Sequence, residues 1–189
     1  MVPRAREQEA IEAVSAFLAT VPYGDPTDPG NLMGPLIREG QRQRVLGYIE
    51  KAKQEGAEVA LGGGVPAHLP KGYYVEPTVL TGVGRKDTVA QEEIFGPVLV
   101  VIAHDGDDDA VDIANDSVYG LSGAVISDDI ERARRVAKRV RTGTIGVNGG
   151  LFYSPDVPFG GYRQSGIGRE MGVAGFEEYL ETKSIAEGA

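Results

Sequence analysis

PVLVVIAHDGDDDAVDIANDSVYGLSGAVISDDIERARRVAKRVRTGTIGV, residues 97–147, alternates apolar runs with charged segments. Its first segment, 97–103, is an almost unbroken apolar run that predicts a strand. Three aspartates then open a predicted helix over 107–115, where carboxylates favour the positive end of the helix dipole. A second strand is expected over 121–127, and Asp128 or Asp129 should cap a helix reaching residue 140. Residues 144–147 read as a third strand. The order β-α-β-α-β with short connections predicts an α/β fold, a parallel sheet with covering helices. Continuous apolar runs, rather than alternation, fit strands covered on both faces.

Ahead of this stretch, a helix is predicted over 6–20, with Ile11, Val14, Phe17 and Leu18 at helical spacing. VPYGDPTDPGNLMGP, residues 21–35, holds four prolines and three glycines and is read as a packed loop without regular structure. A helix over 39–55 places Val45, Ile49 and Ala52 on one face and stops at Gly56. EVALGGG reads as a short strand ending in a turn. GYYVEPTVLTGV reads as an extended segment that Pro77 should confine to an edge or a bulge. The tail returns through a glycine-rich loop over 160–168 to a last helix ending near Leu180. One domain without repeats is the simplest organisation.

The chain has 189 residues, enough for a core of its own, with 41% hydrophobic and 25% charged residues. A net charge of −9 argues against nucleic acid and against acidic membrane surfaces as partners. No apolar run reaches the length of a membrane span, and no secretory leader is visible, so a cytoplasmic location is expected. The sequence has no cysteine, which excludes disulfides, thiolate metal sites and a thiol nucleophile within these residues. No metal site is expected. Asp105, Asp107 and Asp109 match the start of a calcium loop, but Ala110 stands where the turn needs glycine. A helix entry is the better reading. His68 and His104 lack ligand-like neighbours and are read as surface residues. Ser165 in RQSGIG fails the nucleophile-elbow pattern at Arg163. Gly62-Gly63-Gly64 and Gly149-Gly150 are glycine turns without the dinucleotide fingerprint.

Two stretches carry a chemical suggestion. In QEEIFGPV, the adjacent Glu92 and Glu93 precede a buried strand. A carboxylate at a loop edge of an α/β sheet can accept from two vicinal hydroxyls, and a neighbouring Phe95 can pack on a flat ring. That suits a ribose-plus-base ligand; an acidic turn is the alternative. In PFGGYRQSGIGRE, residues 158–170, glycines permit close backbone approach, while Phe159 and Tyr162 offer apolar walls. A ligand-lining loop and a plain helix entry are both compatible with it.

QEEIFGPV, TGTIGVN and PFGGYRQSGIGRE, in this order and at these distances, resemble the aldehyde dehydrogenase superfamily. VPYGDPTDPGNLMGPLI, GYIEKAKQEGAEVALGGG, GYYVEPTVL and ANDSVYGLSGAV support the same resemblance, which covers nearly the whole chain. It implies NAD or NADP as cofactor and oxidation of an aldehyde to a carboxylic acid through a thiohemiacetal and hydride transfer. Residues 1–180 would be part of the catalytic domain, and 181–189 the start of an oligomerisation arm. By the family pattern Glu93 would hold the nicotinamide ribose, Phe95 would flank the nicotinamide, and Gln41 would touch the ribose. Phe159 and Tyr153 would line the aldehyde tunnel, and Glu170 would relay protons. Glu181 would lie near a subunit interface, and Asn148 and Gly149 would be structural.

The same resemblance puts the nucleophilic cysteine, the general-base glutamate, the oxyanion-hole asparagine and the cofactor phosphate site ahead of this stretch. The expectation is therefore a portion of an enzyme, inactive alone, that pairs as a homo-oligomer or with an N-terminal half. A non-catalytic interaction module is the alternative. A stand-alone enzyme using Glu92, Glu93 and Glu170 is a third, which no spacing demands.

Overall fold

A computed structural model describes residues 1–149 and 153–188; Gly150 of the expected glycine turn and Ala189 of the expected arm lie outside the described residues. The chain has an α/β fold in two compact units, Met1–Ala110 and Val111–Ala189.

The first unit begins with β1 (Val2–Pro3), a 3-10 turn (Arg4–Arg6) and α1 (Glu7–Ala19). The Thr20 hydroxyl closes α1 by donating to the Phe17 carbonyl at 2.7 Å. The proline-rich loop is ordered by its own side chains. Asp25 accepts from the Thr27 amide and hydroxyl, Asp28 accepts from the Gly30 amide, and the Asn31 amide donates to the Asp25 carbonyl.

α2 (Glu39–Gln54) follows, and Gly56, at φ 102°, takes the left-handed conformation that ends it. Val45, Ile49 and Ala52 are its buried face, as their spacing predicts. With Ala57, Val75, Leu80, Val83, Val89 and Ile94 they form the core of this unit. Burying one such aliphatic side chain stabilises the fold by about 1.5–3 kcal/mol.

β2 (Glu58–Leu61), β3 (Thr78–Thr81) and β4 (Val98–Val100) form one sheet in the order β2-β3-β4, antiparallel then parallel. Pro77 does not confine its segment to an edge. It precedes the first ladder residue, so no sheet hydrogen bond is lost, and β3 is the central, fully buried strand. The irregularity falls in β2, between Val59 and Leu61. α3 (Thr88–Gln91) is a short helix that the sequence reading leaves out. It is started from a distance, because the Glu55 carboxylate accepts from both the amide and the hydroxyl of Thr88.

The predicted strand over 97–103 is divided. β4 ends at Val100, and β5 (Ala103–His104) pairs in parallel with β1. The acidic cluster behaves as a helix entry. Asp105 holds Arg4 through two hydrogen bonds, at 2.8 and 2.7 Å, and Asp107, Asp108 and Asp109 fill the first turn of α4 (Asp107–Asn115). No group of three or more metal-ligating side chains occurs among the described residues.

In the second unit β6 (Ser122–Val125) and β7 (Thr144–Val147) pair in parallel around α5 (Ile130–Ala137). Asp129 is the cap, accepting from the Glu131 and Arg132 amides, and these bonds hold its carboxyl below the usual range. α5 gives way to tighter turns before residue 140. α6 (Gly172–Glu177) likewise ends three residues before Leu180, in a turn closed by Leu180 N–H on the Glu177 carbonyl. Among the described residues, no helix is long and apolar enough to cross a membrane.

Candidate functional site

In the first unit the structure brings Gln41, Glu93 and Phe95 together. Leaving α3, the chain becomes extended at Glu92, φ −115° and ψ 150°. Successive side chains then leave on opposite sides. Ile94 is buried in the core, while Glu93 and Phe95 on either side of it are exposed, Phe95 to 71%. Phe95 has φ 54°, an uncommon value for a bulky residue that the surroundings must hold in place. Gly96 follows because the backbone passes over α2: a Cβ there would lie 2.5 Å from Val45.

What holds the loop is the exposed side of α2. The Gln41 amide donates to the carbonyls of Ile94 (3.2 Å) and Phe95 (2.9 Å). Arg44 donates to the Glu93 carbonyl at 3.0 Å and to the Tyr48 hydroxyl at 2.9 Å, with its guanidinium 5.1 Å from the Tyr48 ring centre. Tyr48 in turn donates to the Glu92 carboxylate at 2.7 Å, and that bond pushes the phenol pKa above its ordinary value. The two carboxylates are thereby separated in role. Glu92 is engaged, whereas the Glu93 carboxylate has no hydrogen bond or ion pair within the described residues. Gln41, expected at a ribose, is committed through its nitrogen to the loop backbone, and its oxygen is left over. Arg44 and Tyr48 are not singled out by the sequence reading; their signal is the i, i+3, i+7 spacing with Gln41 along one helix face.

In the second unit Tyr153, Phe159 and Glu170 come together. The Tyr153 and Phe159 rings meet edge to face, with centres 5.2 Å apart. Phe159 and Glu170 form a two-residue antiparallel bridge, amide to carbonyl in both directions at 2.8 and 2.7 Å. Both line an open cleft of about 390 Å³ with Arg169, Glu178 and Tyr179. Arg169 is a structural member, donating to the Gly161 and Gly168 carbonyls. The glycine loop is laced to the segment before β6. Ser165 Oγ accepts from the Gly120 amide, Tyr162 N–H donates to the Gly120 carbonyl, and Arg163 donates to the carbonyls of Asn115 and Ser117. Ser165 is thus a backbone acceptor rather than a nucleophile. Asn148, at φ 51°, is structural as expected, exchanging side-chain bonds with both the amide and the carbonyl of Ser127. His68 packs edge-on against Tyr23, and His104 bonds the Gly106 carbonyl.

The profile of the aldehyde dehydrogenase family matches residues 1–185. A Staphylococcus epidermidis protein bearing the aldehyde dehydrogenase name is 45% identical over 187 residues, which are 98% of this chain and 39% of that protein. Among solved structures, the Mycobacterium tuberculosis aldehyde dehydrogenase complexed with NAD+ is 49% identical, with a TM-score of 0.90 over 94% of this chain and 36% of that one. A mutant of aldehyde dehydrogenase C from Pseudomonas syringae, complexed with NAD+ and octanal, is 46% identical, with a TM-score of 0.93 over 97% and 38%. The chain therefore spans about two fifths of the length of these relatives. By sequence and by fold, the chain belongs to the aldehyde dehydrogenase family.

Proposed function

We propose that this chain forms a portion of the catalytic domain of an NAD(P)-dependent aldehyde dehydrogenase and carries the edge of its site that grips the nicotinamide riboside. The observation that carries the reading is the unpartnered Glu93 carboxylate beside an exposed Phe95, on a loop whose backbone is fixed by α2. A free carboxylate matches a diol, and an exposed aromatic face matches a flat ring, so the residues present fit the group. Glu93 would accept from the ribose hydroxyls, Phe95 would pack beside the ring, and the Gln41 oxygen is a second acceptor. NAD or NADP, when bound, supplies the two-electron acceptor for oxidation of an aldehyde to an acid. In the second unit, Tyr153 and Phe159 would wall the aldehyde passage, and Glu170 would hold or pass a proton.

The 189 residues contain no cysteine, so the thiolate that attacks the aldehyde must come from outside them. Alone, the chain is expected to be inactive, because removing the nucleophile changes the reaction path rather than its rate constant. Purified chain with NAD or NADP and a panel of aldehydes should give no turnover. Adding the cysteine-bearing remainder of such an enzyme should restore it. Turnover by the chain alone, abolished by Glu93→Gln, would overturn the inactive-alone reading. A cytoplasmic location and homo-oligomerisation belong to the same proposal and are read by cell fractionation and light scattering.

A second reading, an interaction module that pairs with full-length or N-terminal-half subunits, draws support from the end of the chain. Ile167, Val173, Phe176, Tyr179, Leu180 and Ile185 are exposed apolar side chains concentrated there. Co-purification with the remainder discriminates between the readings: a stoichiometric complex with activity favours the divided enzyme, and one without activity favours the module.

A further inference from the structure

We propose that Tyr48, on α2, is a positioning residue for the nicotinamide-ribose clamp: it ties down Glu92 so that Glu93, of the two adjacent carboxylates, is the one presented to ligand. The inference rests on the reading of Glu93 as the ribose acceptor. Two neighbouring carboxylates on an extended segment leave on opposite sides, and a rotation of the backbone would exchange which one faces the ligand. The structure removes that ambiguity with one hydroxyl. Tyr48 donates to Glu92 at 2.7 Å and accepts from Arg44 at 2.9 Å, so both its donor and one acceptor site are used. Arg44 reaches on to the Glu93 carbonyl at 3.0 Å. Glu92 and the backbone of Glu93 are thus held by one connected network from a single helix. On the far side, Ile94 is anchored in the core, and its carbonyl is held by Gln41. Between these two anchors the Glu93 side chain is the only carboxylate of the pair left without a partner.

The hydroxyl is the part that matters. Tyr48→Phe keeps the ring under the Arg44 guanidinium, so α2 and its packing should be preserved. The decisive measurement is made on the whole chain by NMR. Backbone order parameters at Glu92 and Glu93 should be near the rigid value of about 0.85 and fall toward about 0.6 in Tyr48→Phe, with Val45, Ile49 and the core-anchored Ile94 unchanged. Titration with nicotinamide mononucleotide should show roughly fivefold weaker binding in the same variant, the loss of one hydrogen bond's worth of orientation. Glu92→Ala should reproduce both effects. The double variant should be no worse than either single one, the sign of two residues acting as one unit. Glu92→Gln, which keeps an acceptor oxygen, should recover most of the order and the binding.

The positioning role of Tyr48 and the ribose role of Glu93 fail differently. If Tyr48→Phe leaves both order and binding at the wild-type level, or if the effects of Tyr48→Phe and Glu92→Ala add, the positioning role is overturned. If Glu93→Gln leaves binding of the mononucleotide unchanged, or the wild-type chain gives no shifts at saturating mononucleotide, the ribose reading is overturned and the ligand part of the inference falls with it. The order parameters still decide whether the network holds the loop.

Discussion

Val45, Ile49, Leu80 and Ile94 meet side chain to side chain in the first unit, whereas in the second unit Gly143 lies against the Gly160 carbonyl and Gly120 against that of Arg141. The first unit excludes water with aliphatic bulk. The second, whose large apolar side chains are mostly exposed, is ordered by close backbone approach and by hydrogen bonds from Ser165, Tyr162, Arg163 and Arg169. Each candidate group takes its precision from the scaffold beneath it. Glu93 stands on a packed core, while Phe159 and Glu170 stand on a glycine scaffold in which a Cβ at Gly160, Gly161 or Gly175 would meet backbone atoms at under 3.0 Å.

Ile49→Ala should destabilise the first unit by about 2–5 kcal/mol in urea unfolding, from lost transfer energy and a residual cavity. A cost close to zero would mean that the core is not what holds this unit. Gly143→Ala is the matching test of the second unit. A Cβ there overlaps the Gly160 carbonyl oxygen, so overpacking of about 1–3 kcal/mol is expected. Its amide shift changes should concentrate in residues 120–170, and a silent substitution would refute the close-approach account. Ile167→Ser with Ile185→Ser should leave unfolding within about 0.5 kcal/mol per site, because Ile167 is fully exposed and Ile185 is 80% exposed. The same pair should reduce self-association in sedimentation velocity, sharpening the contrast between a filled core and an uncovered face.

The smallest effect is in alkali. The Tyr48 pKa is raised, chiefly by its bond to Glu92, above the ordinary value of 10.0. Stability from this bond is therefore fully present below pH 10 and lost as pH rises through the folded-state value. Tyrosine ring-carbon NMR should show Tyr48 titrating above the ordinary phenol value, and Glu92→Gln should lower it.

Local features were legible from sequence. The α2 face, the Gly56 stop, the Asp129 cap and the acidic entry to α4 each depend on residues within one or two helical turns. Elements that depend on distant partners were not. α3 is four residues long, too short for a period, and its first turn is completed by Glu55, 33 positions away. β3 is central despite Pro77 because a proline just outside a ladder costs nothing. The strand over 97–103 divides because its two ends serve different neighbours, β3 and β1. In the candidate site, the motif gave Glu93 and Phe95. Tyr48 and Arg44 were invisible because their partners lie 44 and 49 residues downstream, a separation that local patterning does not encode.

The bond from Glu55 to Thr88 has a mechanical meaning. Residues 88–95 are fastened to α2 at both ends, by Glu55 at one and by Gln41, Arg44 and Tyr48 at the other. These attachments run from Gln41 to the Glu55 cap of α2, 14 residue steps and roughly 21 Å of rod. α2 is a splint, and the segment bearing Glu93 is strapped along it. Force applied at Glu93 is borne by the whole rod, so this loop can change its aim only by tilting the helix or by undoing a strap.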